Sequence, residues 1–148
     1  MTRSAVVLAL FAILAVASPA SAEMRSLVSA SDFETTLANL RGAIEASPAS
    51  IIHEVDHAAG AEGAGLELAP TTLVVFGNPA AGTKLMQADP TAGLSLPMKM
   101  LVAETEEGVK VVYDDPASLA EMHDLGEAAA VTEKMSGLVA KLAEAATK

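Results

Sequence analysis

Between Thr72 and Pro97 the chain punctuates itself firmly enough to limit the folds open to it. Thr72-Leu73-Val74-Val75-Phe76 is a β-branched, apolar run, the pattern of a buried strand. It ends at Gly77. Asn78 is a good N-cap and Pro79 a good first helical residue, which predicts a helix over 79–88. Asp89-Pro90 closes that helix about three turns later. A buried strand that turns a tight corner into a short helix excludes coiled-coil and all-helical architectures. It requires a sheet with helices layered on it.

The rest of the chain extends this frame. Residues 23–28 read as extended. Ser31 and Glu34 form a Ser-x-x-Glu capping box, followed by Phe33, Leu37, Leu40 and Ile44 at three- and four-residue spacing. This predicts an amphipathic helix over 32–46, ended by Ser47-Pro48. Residues 58–68, rich in Ala, Gly and Glu, predict a weak helix or a loop. Residues 98–104 and 109–113 predict a hairpin turning at Glu106-Glu107-Gly108. Asp115-Pro116 repeats the cap-plus-proline signal and starts a helix ending near His123. The longest helix is predicted over 127–146, with Val131, Met135, Leu138, Val139 and Leu142 on its apolar side. The fold class is therefore α+β: a mixed, mostly antiparallel sheet with helices packed on it, in a single compact domain over 23–148.

Residues 1–22 read differently. Arg3 precedes an apolar run from Ala5 to Val16, and Ala20-Ser21-Ala22 is a small-x-small cleavage site. This predicts a Sec-type signal peptide cleaved after Ala22, since the apolar run is too short to span a bilayer. The expected address is the periplasm or the extracellular space. With 9 Lys and Arg against 19 Asp and Glu, the net charge is −10. That excludes a nucleic-acid partner, which needs basic clusters, and opposes anionic membrane surfaces after leader cleavage. There is no Cys, so thiol catalysis, disulfides and Cys-ligated zinc are excluded. No Trp, one Tyr and three Phe argue against an aromatic stacking platform.

Several blocks together resemble the domain-of-unknown-function 302 family. They are Asp56-His57-Ala58-Ala59-Gly60-Ala61, Pro70-Thr71-Thr72-Leu73, Phe76-Gly77-Asn78-Pro79, Gly82-Thr83, Leu85-Met86 and Leu96-Pro97. The similarity runs from Asp32 to His123. It implies a small α+β fold that associates as a homodimer, and it implies no defined activity. Many members of that family place Cys before the Asn-Pro corner and after the later Pro. Here Gly77 and Met98 hold those positions, so no thiol-based role carries over.

Three constellations offer chemistry. His53-Glu54-Val55-Asp56-His57 spells His-Glu-x-x-His, which on a helix would bind zinc through both His, with Glu54 as general base. As a strand, which Ile51, Ile52 and Val55 favour, the same segment separates the two His by ~13 Å and prevents chelation. A second set, Met98, Met100, Met122, His123 and His57, suits Cu(I) through thioether and imidazole; Met is equally an ordinary core filler. The third is the corner itself, where the helix N-terminus at Asn78, with Thr83 and Lys84, suits a small anion. Asp56 and His57, at the end of the preceding strand, can face the same edge, and His123 is the further titrating candidate. No nucleophile elbow, phosphate loop or dinucleotide fingerprint is present. These features predict a non-enzymatic, dimeric ligand-binding or accessory domain without a cofactor. Its ligand site comprises Asp56, His57, Asn78, Thr83, Lys84 and His123. The alternative is a metal-binding protein, either copper-handling or a zinc hydrolase.

Overall fold

A continuous apolar run in sequence becomes alternation in burial, because successive strand residues face opposite sides. In the computed structural model, which describes residues 23–148, the strand β3 (Thr71–Gly77) buries Thr72, Val74 and Phe76 and leaves Thr71, Leu73 and Val75 half-buried. The other strands are β1 (Met24–Val28), β2 (Ser50–Asp56), β4 (Met98–Thr105) and β5 (Gly108–Asp114). The predicted leader lies outside the described residues.

The sheet order is β1-β5-β4-β3-β2, and every pairing is antiparallel. The mixed sheet expected from sequence is corrected here. β1 and β2 run in the same direction, but three strands separate them, so the helix between them never creates an adjacent parallel pair. That helix, α1 (Phe33–Glu45), buries Phe33, Leu37, Leu40 and Ile44, the four residues its periodicity picks out. Its cap is Asp32, whose carboxylate accepts the Thr35 N–H at 2.8 Å. Ser31 instead donates its hydroxyl to the Lys148 carbonyl, so the capping-box register shifts by one residue.

Residues 50–56 are strand, followed directly by α2 (His57–Gly63). The corner forms as expected, with α3 over Pro79–Ala88 and a 3-10 turn over Pro90–Leu94. The hairpin turns at Glu106-Glu107, while Gly108 supplies the positive φ of 111°, a conformation glycine adopts without steric cost. After Asp115 comes a 3-10 turn, Pro116–Ser118, and then the short α4 (Leu119–Met122). A further 3-10 turn, Gly126–Ala128, leads into α5 (Ala129–Ala146). Among the described residues no helix is long and apolar enough to cross a membrane.

The main core joins the α1 face and Val139, Leu142 and Ala146 of α5 to Val74, Phe76, Met100, Val102 and Val111 of the sheet. Each fully buried large side chain contributes about 1.5–3 kcal/mol relative to exposure. A second cluster, Leu85, Ala92, Leu119, Leu125 and Met135, lies beneath the loops after α3 and α4. Met98 packs against both clusters. The opposite face of the sheet carries Val55, Leu73, Leu101 and Val112 in one cross-strand row, outside both clusters.

Candidate functional site

The antiparallel pairing of β2 with β3 decides which predicted residues meet. Ser50 pairs with Gly77 at the corner, whereas Asp56 pairs with Thr72 at the far end. That places Asp56 and His57 roughly 20 Å of strand away from Asn78, so the expected shared edge does not form. Asp56 caps α2, accepting the Ala59 N–H at 2.9 Å. His57 is the first residue of that helix and is exposed.

The anion reading of the corner also meets a full set of hydrogen bonds. Asn78 Oδ1 accepts the Ala80 and Ala81 N–H groups at 2.9 and 3.2 Å. Its carbonyl accepts from Ala81 and Gly82, and its Nδ2 donates to the Pro48 carbonyl at 2.9 Å. Pro79 has no N–H. The first-turn donors are therefore committed within the chain. Lys84 is exposed on α3 and lies outside the lining of the neighbouring groove.

What the corner builds instead is an apolar groove of about 430 Å³. One wall is α3, through Pro79, Gly82 and Met86. The other comprises Ile52, Leu96, Pro97 and Leu138, with Met98 and Met135 at the seam of the two core clusters. Among the described residues, Asn78 and Thr83 are the only polar side chains lining it. Gly77 sits where a Cβ would be 3.4 Å from that of Pro97, so its lack of a side chain keeps β3 and the Pro97 loop close.

Neither metal set assembles whole: Met98 and Met122 line one cleft, whereas Met100 is buried in the core and His57 follows the far end of β2. Segment 50–56 is strand because its β-branched residues pair with β3. Glu54 is held by Arg41 in a two-pronged pair at 2.8 and 2.6 Å, reaching from α1. That hydrogen bonding holds the Glu54 carboxyl below its ordinary range. His53, on the opposite face of β2, shares no side with Glu54, which removes the zinc-hydrolase geometry. Met100 is fully buried in the core while Met122 is exposed near His123. No group of three His, Cys, Asp or Glu that can hold a metal exists among the described residues.

His123 belongs to a different assembly, which sequence reasoning missed. Its Nδ1 lies 3.0 Å from Thr91 Oγ1 and its Nε2 3.0 Å from Ser95 Oγ. Thr91 donates its hydroxyl proton to Asp89 Oδ1 at 2.7 Å. Hydrogen bonds from the Thr91 hydroxyl and amide, together with the Asp124 N–H, hold the Asp89 carboxyl below its ordinary range. The only signal in the sequence is Asp-Pro-Thr, which predicts a cap; the partner histidine lies 32 residues on. Ser95 lines a separate cleft of about 260 Å³, with Met98, Lys99, Asp115 and Met122 among its walls.

The comparisons agree with the resemblance. The family model described as "Domain of unknown function DUF302" matches residues 25–142. The chain is similar in fold to an uncharacterized conserved DUF302 protein from Bacillus stearothermophilus, with a TM-score of 0.76 at 13% identity. That alignment covers 84% of this chain and 98% of the other. It is also 50% identical over 78 residues to "Fluoride-specific ion channel FluC 1" of Brucella suis biovar 1, covering 52% of this chain and 31% of that protein. The Brucella abortus biovar 1 protein of the same name matches at 50% over 78 residues, with 29% of its length covered. The chain thus spans less than a third of the curated relatives it matches.

Proposed function

The chain belongs to the DUF302 family, which is defined by its domain and not by an activity, and from that premise we propose that this member binds a small apolar molecule in the groove between α3 and the Pro97 loop. The groove's volume is within the ~300–1,000 Å³ range of small-molecule sites. Its lining is apolar but for Asn78 and Thr83, so burial of hydrocarbon is the driving force and the two polar side chains orient the ligand. Ile52 is 60% exposed and Met86 37% exposed beside it, apolar surface that a bound molecule would cover. The carrying observation is this apolar lining at the seam of two core clusters. The leader-like residues 1–22 support action outside the cytoplasm.

Gly82 provides the test. A Cβ there would meet Leu96 and Met86 only at 3.8 and 4.0 Å, so Gly82→Leu projects into the groove without a backbone clash. Titration with the fluorophore 1-anilinonaphthalene-8-sulfonate should show saturable binding by the folded protein. Gly82→Leu should weaken it at least about tenfold, about 1.4 kcal/mol, with the melting temperature nearly unchanged. Equal binding by both proteins would place the ligand elsewhere.

The homodimer is also our reading, through the open sheet face. On a chain of 9 basic and 19 acidic residues, the strand positions of this face include Lys99 and Lys110 but only one carboxylate, Asp114. Self-repulsion is small there, and Lys99 of one copy can complement Asp114 of the other across a two-fold axis. Leu101→Glu should convert a dimer to a monomer in light scattering at ~50 µM protein, with thermal unfolding preserved in the monomer. A wild-type monomer at that concentration would refute this.

A further inference from the structure

We propose that Ser95 is a nucleophile activated by His123, and that the cleft it lines accepts the acyl group of a small ester. This lies beyond the binding reading, because Ser95 does not line the apolar groove but the neighbouring cleft. The direction of the hydrogen bonds carries the argument. Thr91 has one hydroxyl proton, and Asp89 Oδ1 receives it at 2.7 Å. The Thr91 oxygen must then accept from His123 at 3.0 Å, which puts the ring proton on Nδ1. Nε2 is left with its lone pair, facing the Ser95 hydroxyl at 3.0 Å.

The relay therefore runs Ser95 to His123 to Thr91 to Asp89, with every proton pointing toward the carboxylate. Asp89 Oδ2 lies 3.8 Å from Nδ1, beyond hydrogen-bond reach, so Thr91 links the two. This is nucleophile, base and orienting group within the contact distances such chemistry requires, recognised by roles and not by sequence order. The His123 side chain is 9% exposed, which keeps water from competing for Nε2, whereas Ser95 opens to the cleft. Lys99, Asp114 and Asp115 are the charged residues among the cleft's lining. Met98, Met122 and Leu119 furnish the apolar wall for a short acyl chain.

The step balances without a cofactor. Ser95 Oγ bonds to the acyl carbon as its proton passes to Nε2. The ester C–O bond breaks, and the departing alcohol takes that proton. Water then attacks the acyl carbon, gives a proton to Nε2, and Ser95 leaves with the proton returned to it.

The test uses a short-chain alkyl phosphonofluoridate on the folded full-length protein, read by intact mass and then by fragmentation mapping. Attack forms a Ser–O–P bond, releases fluoride, and is specific to activated hydroxyls. A single adduct mapped to Ser95 is expected, lost in Ser95→Ala, slowed about a hundredfold in His123→Gln and retained in Ser136→Ala. Because the adduct is mapped on the wild type, the result stands even where a variant misfolds. No adduct after prolonged exposure at millimolar probe, or one mapped to another residue, overturns the proposal. Thr91 is a positioning residue: Thr91→Val should slow labelling about tenfold and Thr91→Ser should restore it. Unchanged labelling in Thr91→Val removes the relay.

Discussion

Phe76→Ala should destabilise the domain by about 3–5 kcal/mol, the cost of a large buried aromatic and the cavity it leaves. Phe76 is fully buried, pairs with Ile51 on one side and Met98 on the other, and immediately precedes the Gly77–Asn78 corner. Against a typical stability of ~5–15 kcal/mol, that loss is a large fraction of the whole. Leu73, three residues earlier on the same strand, is the control. It faces away from both core clusters, so Leu73→Ala should cost under ~1 kcal/mol in the monomer. Urea unfolding of the two variants at equal concentration makes the comparison. Similar midpoints for both would mean that the core does not lie on the Phe76 face.

Asp115→Ala should cost about 2–3 kcal/mol and should flatten the acid limb of the stability curve. Its carboxylate accepts the Ser136 hydroxyl from α5, the Ala117 N–H at 3.0 Å and an Arg25 N–H at 3.3 Å from β1. One side chain thereby ties the first strand, a 3-10 turn and the last helix. The Ser136 hydrogen bond is the main reason its carboxyl lies below the ordinary range. A carboxyl lowered on folding stabilises the fold above its unfolded value near ~3.9, and that contribution disappears as pH falls through the lower folded value. Glu54 and Asp89 are lowered in the same direction by Arg41 and Thr91 hydrogen bonds, respectively. Wild-type stability should therefore be flat from about pH 7 to 5 and fall below about pH 4. Asp115→Ala should start lower and fall less. Parallel curves for the two proteins would show that Asp115 contributes no proton linkage.

Local chemistry made much of the fold legible. The apolar repeat of α1, the Asn78-Pro79 start of α3, the hairpin and the face of α5 all follow from residues within a few positions of one another. Ser31 misled because two potential caps stand side by side, and Asp32 has the geometry to reach the Thr35 N–H. The candidate site was legible only in part, because it depends on strand direction. Asp56 and Asn78 appear close along the chain, yet antiparallel pairing sends them to opposite ends of β2 and β3. The helix start at Asn78 was correctly placed, but its donors are consumed by Asn78 itself. Ser95 and His123 are 28 residues apart on separate loops, a meeting that no local spacing encodes.

The strand order also sets the sequence in which the chain can assemble. β1 is first in the sequence, but its partner β5 comes 90 residues later, with Met24 opposite Asp114. The hairpin of β4 and β5, and the nearby pairings of β2 and β3, close shorter loops and lose less entropy before contacts form. The first-made strand is thus the last that can dock, adding itself to a rim already formed by its neighbours. Until synthesis passes Asp114 the N-terminal strand has no berth in the sheet.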